Sequence, residues 1–140
     1  MMSPARTGLI LVDSSVWIDY YHPKGPELLK RRLQEELAQG TVATMGLIAV
    51  EVLQGASSIS ALALLREDFL GFHWLDVTQD IWLEAARLGA TLRQEGTSIP
   101  TTDIVIAATA LHYHARLWHR DEDFTRLSRH VPSLHATSLS

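Results

Sequence analysis

Short apolar runs alternate along this chain with longer segments whose apolar residues recur at helical spacing. That alternation restricts the fold more than any other feature. A run such as GLILV at 8–12 contains no polar position, so both of its faces need cover. Strands of that kind belong to a parallel sheet with helices packed on both sides. The pattern predicts strands at 8–12, 41–44, 72–77 and 116–119, and an edge strand at 134–136. It predicts helices at 14–20, 27–38 and 47–53, and a fourth from Ser58 or Ser60 to about 70. A fifth runs from a Thr78 or Asp80 cap to Gly96, a sixth over 103–113 from a Thr101 or Thr102 cap, and a last one over 121–129.

No repeat, linker or low-complexity tract divides the 140 residues, so one α/β domain over 1–140 is expected. With 46% hydrophobic residues the chain buries a core without metal or disulfide staples. The absence of cysteine removes thiolate zinc sites, disulfides and cysteine nucleophiles. The apolar run before Asp13 is too short for a signal peptide, and nothing approaches the roughly 20 apolar residues of a membrane span. A cytoplasmic protein with no membrane segment is the expectation. The net charge of −4 runs against a general nucleic-acid binder, although metal-bound carboxylates would inflate the acid count.

Four acids stand out by their placement. Asp13 follows the first strand and Asp121 follows the fourth, and ligands of an open parallel sheet gather beyond the carboxyl ends of its strands. Asp103 opens a helix otherwise made of IVIAATAL, and Glu51 interrupts the apolar IAVEVL. A charge among apolar neighbours is costly unless something pairs with it, and a hard cation would do so. Each acid also has a plain structural reading. Asp13 serves as a helix cap, Asp103 as a first-turn acid favoured by the helix dipole, Glu51 as part of a solvent stripe, and Asp121 and Asp123 as turn acids. It is the combined placement that points to a divalent-metal site.

A rival site is drawn from His112, His114 and His119, which suit zinc by residue type. Yet His112 and His114 lie two apart at a helix end and so face differently. No glycine-rich phosphate loop is present.

Four stretches together resemble the PIN-domain nucleases, and among them the VapC-type toxins of bacterial toxin–antitoxin pairs. They are LVDSSVWID at 11–19, AVEVLQGA at 49–56, TTDIVIAATAL at 101–111 and LWHRDEDFTRL at 117–127, in the family's order. The resemblance implies a central parallel sheet flanked by helices on both faces, with acids at one edge binding Mg²⁺ or Mn²⁺. Asp13, Glu51 and Asp103 match the family's first three acids. Asp121 matches the fourth, with Asp123 as a helper or helix cap, and Ser15 matches a hydroxyl residue beside the metal. His119 departs from the Thr or Ser of many relatives, leaving open whether it touches substrate, orients Asp121 or packs.

The function implied is a metal-dependent endoribonuclease, the toxin of a type II pair, with a cognate antitoxin and a homodimeric state. The alternative is an inactive PIN-fold module that binds RNA or protein. Of the basic residues, Arg120 is the expected phosphate contact because it adjoins Asp121, with His119 beside it. Lys30, Arg31 and Arg32 read as a solvated helix face. Trp17, Trp74, Trp82 and Trp118 read as core. Apolar residues of 62–69 and 81–92 serve core or dimer contacts.

Overall fold

The structure is a computed structural model that describes residues 8–140. The reading that no leader precedes the domain rests in part on residues 1–7, which lie outside the described residues. In chain order the elements are β1 (Ile10–Val12), α1 (Ser14–Tyr21), α2 (Glu27–Gln39), β2 (Val42–Thr44), α3 (Gly46–Leu53) and α4 (Ile59–Leu70). There follow β3 (His73–Trp74), α5 (Gln79–Gln94), α6 (Thr101–His112), β4 (Arg116–His119), α7 (Glu122–His130) and β5 (Ala136–Ser138).

The five strands form one sheet in the order β3-β2-β1-β4-β5, with every pairing parallel. Ile10 is in register with both Val42 and Arg116, so β1 lies at the centre. The chain first moves outward from β1 to β2 and β3, then returns to the other side of β1 for β4 and β5. Crossovers between parallel strands are right-handed, so reversing direction puts the later helices on the opposite face. The packing agrees: α1 meets α2 and α3, and α3 meets α4, whereas α6 meets α5 and α7. The point of reversal, between β1 and β4, is where such a sheet opens a crevice at its carboxyl edge.

Both faces of β1 are covered, as its lack of polar residues requires, and Ile10, Leu11 and Val12 are fully buried. Trp17 anchors the α1 face, stacked on Phe72 at a centroid distance of 5.1 Å and tilted against Phe69. Trp118 is also buried, but Trp74 and Trp82 are about half exposed, which departs from the expected core role. The two apolar helices divide. Phe69, Ile81, Ala85 and Leu92 join the core, while Leu64 and Leu83 face outward.

Several boundaries shift for local reasons. The strand expected at 72–77 shortens to His73–Trp74, an edge strand whose two residues are exposed. Helix α6 begins at Thr101, with Pro100 ahead of it and no side-chain cap. Thr101 and Thr102 fall inside the first turn of the helix, so neither stands at the cap position expected of it. The last strand lies at Ala136–Ser138, two residues beyond its expected place, paired with β4 from Leu117 to His119. Of the alternative caps, Ser58 accepts from Ala61 N–H and Thr78 from Ile81 N–H.

Gly25 closes the loop between α1 and α2. A Cβ there would sit 1.9 Å from the backbone oxygen of Asp19, which leaves room for glycine alone. Gly25→Ala is expected to destabilise the protein by about 1–3 kcal/mol, the usual cost of overpacking against an unyielding neighbour. Urea unfolding of the two proteins checks this, and equal midpoints would mean that the loop moves away freely.

Candidate metal centre at the sheet switch point

Acids from both layers meet at the carboxyl edge between β1 and β4. Asp13 comes directly after β1 and Glu51 from α3 on one face. Asp103 comes from the first turn of α6, and Asp121 and Asp123 from the start of α7, on the other. One carboxylate oxygen from each of Asp103, Asp121 and Asp123 lies within 4.8 Å of the others.

The plain readings of these acids prove true without displacing the functional one. Asp13 is the N-cap of α1. Its Oδ2 accepts from Ser15 N–H at 3.1 Å and from the Ser15 hydroxyl at 2.6 Å. Asp121 is the N-cap of α7, accepting from Asp123 N–H at 2.9 Å. A cap holds a carboxylate in one rotamer at a helix start, and that fixed aim is also what a metal ligand needs.

The electrostatics are those of crowded anions. Asp103 is 9% exposed. Its burial, then the charges of Asp121, Asp13 and Asp123, push its carboxyl up to about 7. Burial also raises Asp13, opposed by its bonds to Ser15. Glu51 is raised by partial desolvation and by the charges of Asp13 and Asp121. Among the described residues, no ion pair joins Asp13, Glu51, Asp103 or Asp121 to a cation. An all-oxygen set of mutually repelling carboxylates fits a hard divalent ion, which removes the repulsion by binding between them.

The expected residues fall into two sets. Asp103 and Asp121 sit in the tight group, with Asp123 as its third member although the sequence reading made it a helper. Asp13 and Glu51 stand outside that group but act on it through their charges. The Ser15 hydroxyl donates to Asp13 and accepts from Arg120 N–H at 2.9 Å, tying β1 to the end of β4. His119 is 2% exposed and packs on Phe124. Its Nδ1 accepts from Asp121 N–H at 3.2 Å, and burial lowers its pKa. The ring thus meets Asp121 and Phe124 inside the fold. Arg120 is ion-paired with Asp19 at 2.7 Å. The zinc reading of the histidines does not form. His114 occupies a left-handed turn with φ 55°, and among the described residues no histidine joins a group able to hold a metal.

Sequence reasoning missed the braces behind the cluster. Arg126 donates to Asp123 Oδ1 and, at 3.2 Å, to the carbonyl of Ser98 in the loop that leads into α6. The His130 ring joins Glu95 at 2.7 Å and Thr97 at 2.8 Å in the same loop. So α7 holds the approach to Asp103 by three side-chain links. The i,i+3 spacing of Asp123 and Arg126 was a readable signal, whereas nothing in the sequence joins His130 to residues 95–97.

The PIN domain family model matches residues 10–130. VapC ribonuclease Mb1587 of Mycobacterium bovis and ribonuclease VapC11 of Mycobacterium tuberculosis are each 33% identical over 136 residues, covering 94% of this chain and 99% of theirs. The solved structure of DNA-bound VapBC from Salmonella typhimurium superposes with a TM-score of 0.76 at 18% identity, covering 93% of this chain and 97% of that one. An α/β sheet of this order with acids at its switch point is the PIN architecture, and the chain belongs to the PIN-domain family. Within that family, the relatives it matches along almost its whole length are VapC ribonucleases.

The raised Asp103 carboxyl has a consequence for stability without metal. Folded, it titrates near 7, against 3.8 for the ordinary group, so the folded state holds the extra proton between those values. Stability must then fall as pH rises from about 4 through about 7. In chelator, Asp103→Asn is expected to match wild type at pH 4 and to exceed it by about 1–2 kcal/mol at pH 8. Thermal unfolding at both pH values reads this, and identical curves at pH 8 would show that the carboxylates do not repel.

Proposed function

We propose that this protein is a metal-dependent endoribonuclease that hydrolyses RNA phosphodiester bonds as the toxin of a type II toxin–antitoxin pair. The observation that carries the reading is the convergence of Asp103, Asp121 and Asp123 within 4.8 Å, where among the described residues no cation pairs with Asp103 or Asp121. Relatives named as VapC ribonucleases, matched over nearly their full length, supply the substrate class.

Asp103, Asp121 and Asp123 would hold a Mg²⁺ ion, or Mn²⁺, with Asp13 and Glu51 completing the acidic rim. When bound, such an ion lowers the pKa of a coordinated water and offsets charge on the phosphate and leaving oxygen. The chain's own groups then have definite tasks. Ser15 fixes the aim of Asp13, and His119 fixes the backbone of Asp121. Arg126 holds Asp123 against the approach to α6. The Ser15 hydroxyl is engaged as both donor and acceptor, so it is no free nucleophile, and water takes the attacking role.

No helix among the described residues is long and apolar enough to cross a membrane, and we place the enzyme in the cytoplasm, where RNA is its substrate. The cognate antitoxin would lie in the apolar groove of about 820 Å³ lined by Ile18, Tyr21, Val52 and Leu64, which has Glu51 on its wall. A homodimer would use outward apolar residues such as Trp82 and Leu83 on α5. Sedimentation at micromolar concentration is expected to show a dimer that Leu83→Glu dissociates. A wild-type monomer would remove the dimer from the proposal.

The direct test is cleavage of total cellular RNA with Mg²⁺, with Mn²⁺ and with chelator. Asp103→Asn is expected to lower the rate by at least about 100-fold, since it removes a ligand from the heart of the cluster. Cutting that persists in chelator, or equally in the mutant, would overturn the metal centre. No cutting by the wild type under any condition would favour an inactive module that binds RNA or protein.

A further inference from the structure

A small cavity with two arginines on a partly apolar wall flanks the acid cluster on the α1–α2 face. A cavity of about 170 Å³ opens between the start of α2 and the carboxyl ends of β4 and β5, walled by Leu29, Arg32, Arg120, Ser138 and Leu139. Arg120 is the residue immediately before Asp121, so the cavity and the metal centre share one turn of chain. The Arg120 main chain is bound to Ser15, whose hydroxyl holds Asp13, which ties the two sites together.

The charges in this cavity are not balanced. Arg120 is paired with Asp19, but among the described residues Arg32 has no acidic partner. It passes over Glu35 and Glu36 at helical spacing on its own helix, and Glu36 instead accepts from the Thr41 hydroxyl. The Arg32 guanidinium lies over the Trp118 ring, 5.0 Å from its centroid. Stacking on an indole fixes the plane of a guanidinium while leaving its N–H edge for another partner. The Arg32 fork, with the Arg120 guanidinium that Asp19 holds on the facing wall, suits a phosphate, which a guanidinium binds in planar, bidentate fashion. The cavity is well below the roughly 300 Å³ at which pockets begin to enclose whole small molecules, so it would take a phosphate group rather than a nucleoside. Lys30 and Arg31, the other cations of the helix, have no place in it: the Lys30 ammonium donates to the carbonyl of His22, and Arg31 faces solvent.

We propose that Arg32 and Arg120 form a subsite for a backbone phosphate of the RNA strand beside the one being cut, resting on the nuclease reading above. Such a site explains how a chain of net charge −4 holds a polyanion next to its own acids. The attraction is local, set one residue from the acid cluster, and needs no basic surface overall.

The test uses a fluorescent oligouridylate of about 12 nucleotides and the full chain carrying Asp103→Asn, so that bound RNA stays intact. Adding R32Q is expected to weaken binding about 5–10-fold and to reduce the slope of log affinity against log salt by about 1. Adding R32K is expected to keep the slope and lose part of the affinity, because the charge remains and the fork is gone. The Mg²⁺ midpoint for thermal stabilisation, measured in R32Q with Asp103 intact, is expected to match wild type. Unchanged affinity and slope in R32Q would overturn the subsite. So would a shifted Mg²⁺ midpoint, since Arg32 would then be supporting the metal centre. Either failure leaves RNA cleavage by the wild type standing, whereas loss of that cleavage would sink the nuclease reading itself.

Discussion

Repulsion between carboxylates at the β1–β4 edge is the constraint around which the rest of this molecule is arranged. Without a cation, Asp103, Asp121 and Asp123 oppose one another at close range, and Asp103 answers by holding its proton to about pH 7. Such a cluster persists only where surrounding structure fixes each member. The sheet does this first, since β1 and β4 are directly paired and deliver their following acids to one edge. Helix starts do it next, by locking Asp13 and Asp121 as caps.

The third layer of support is the brace between α7 and the loop before α6. Arg126 and His130 reach back to residues 95, 97 and 98, so the elements that carry Asp121 and Asp123 are bolted to the approach of Asp103. The loop that leads into α6 is thus held from outside, while α6 itself begins after Pro100 without a side-chain cap.

The opposite face of the edge has the reverse sign. Ser15 passes order from Asp13 to Arg120, and Arg120 lies with Arg32 in the adjoining cavity. The acid cluster and the two arginines thus sit on either side of β4's end. This juxtaposition is invisible to net charge, which averages the two.

The sequence by itself determined the parallel α/β class and most element positions, and it singled out acids that the fold gathers at one edge. Those signals are local: apolar period, Pro and Gly punctuation, and charges stranded in apolar runs. The family resemblance rested on the same stretches. What it did not decide is equally physical. The bounds of β3 and β5 depend on pairing partners distant in sequence. Asp123 joins Asp103 and Asp121 in the tight group, because only packing sets distances between helices. Arg32 read as part of a solvated helix face with Lys30 and Arg31; Trp118, 86 residues on by number, draws it elsewhere. His119 is buried against Phe124 and bonded to Asp121 N–H, contacts that belong to the folded sheet and not to the residue.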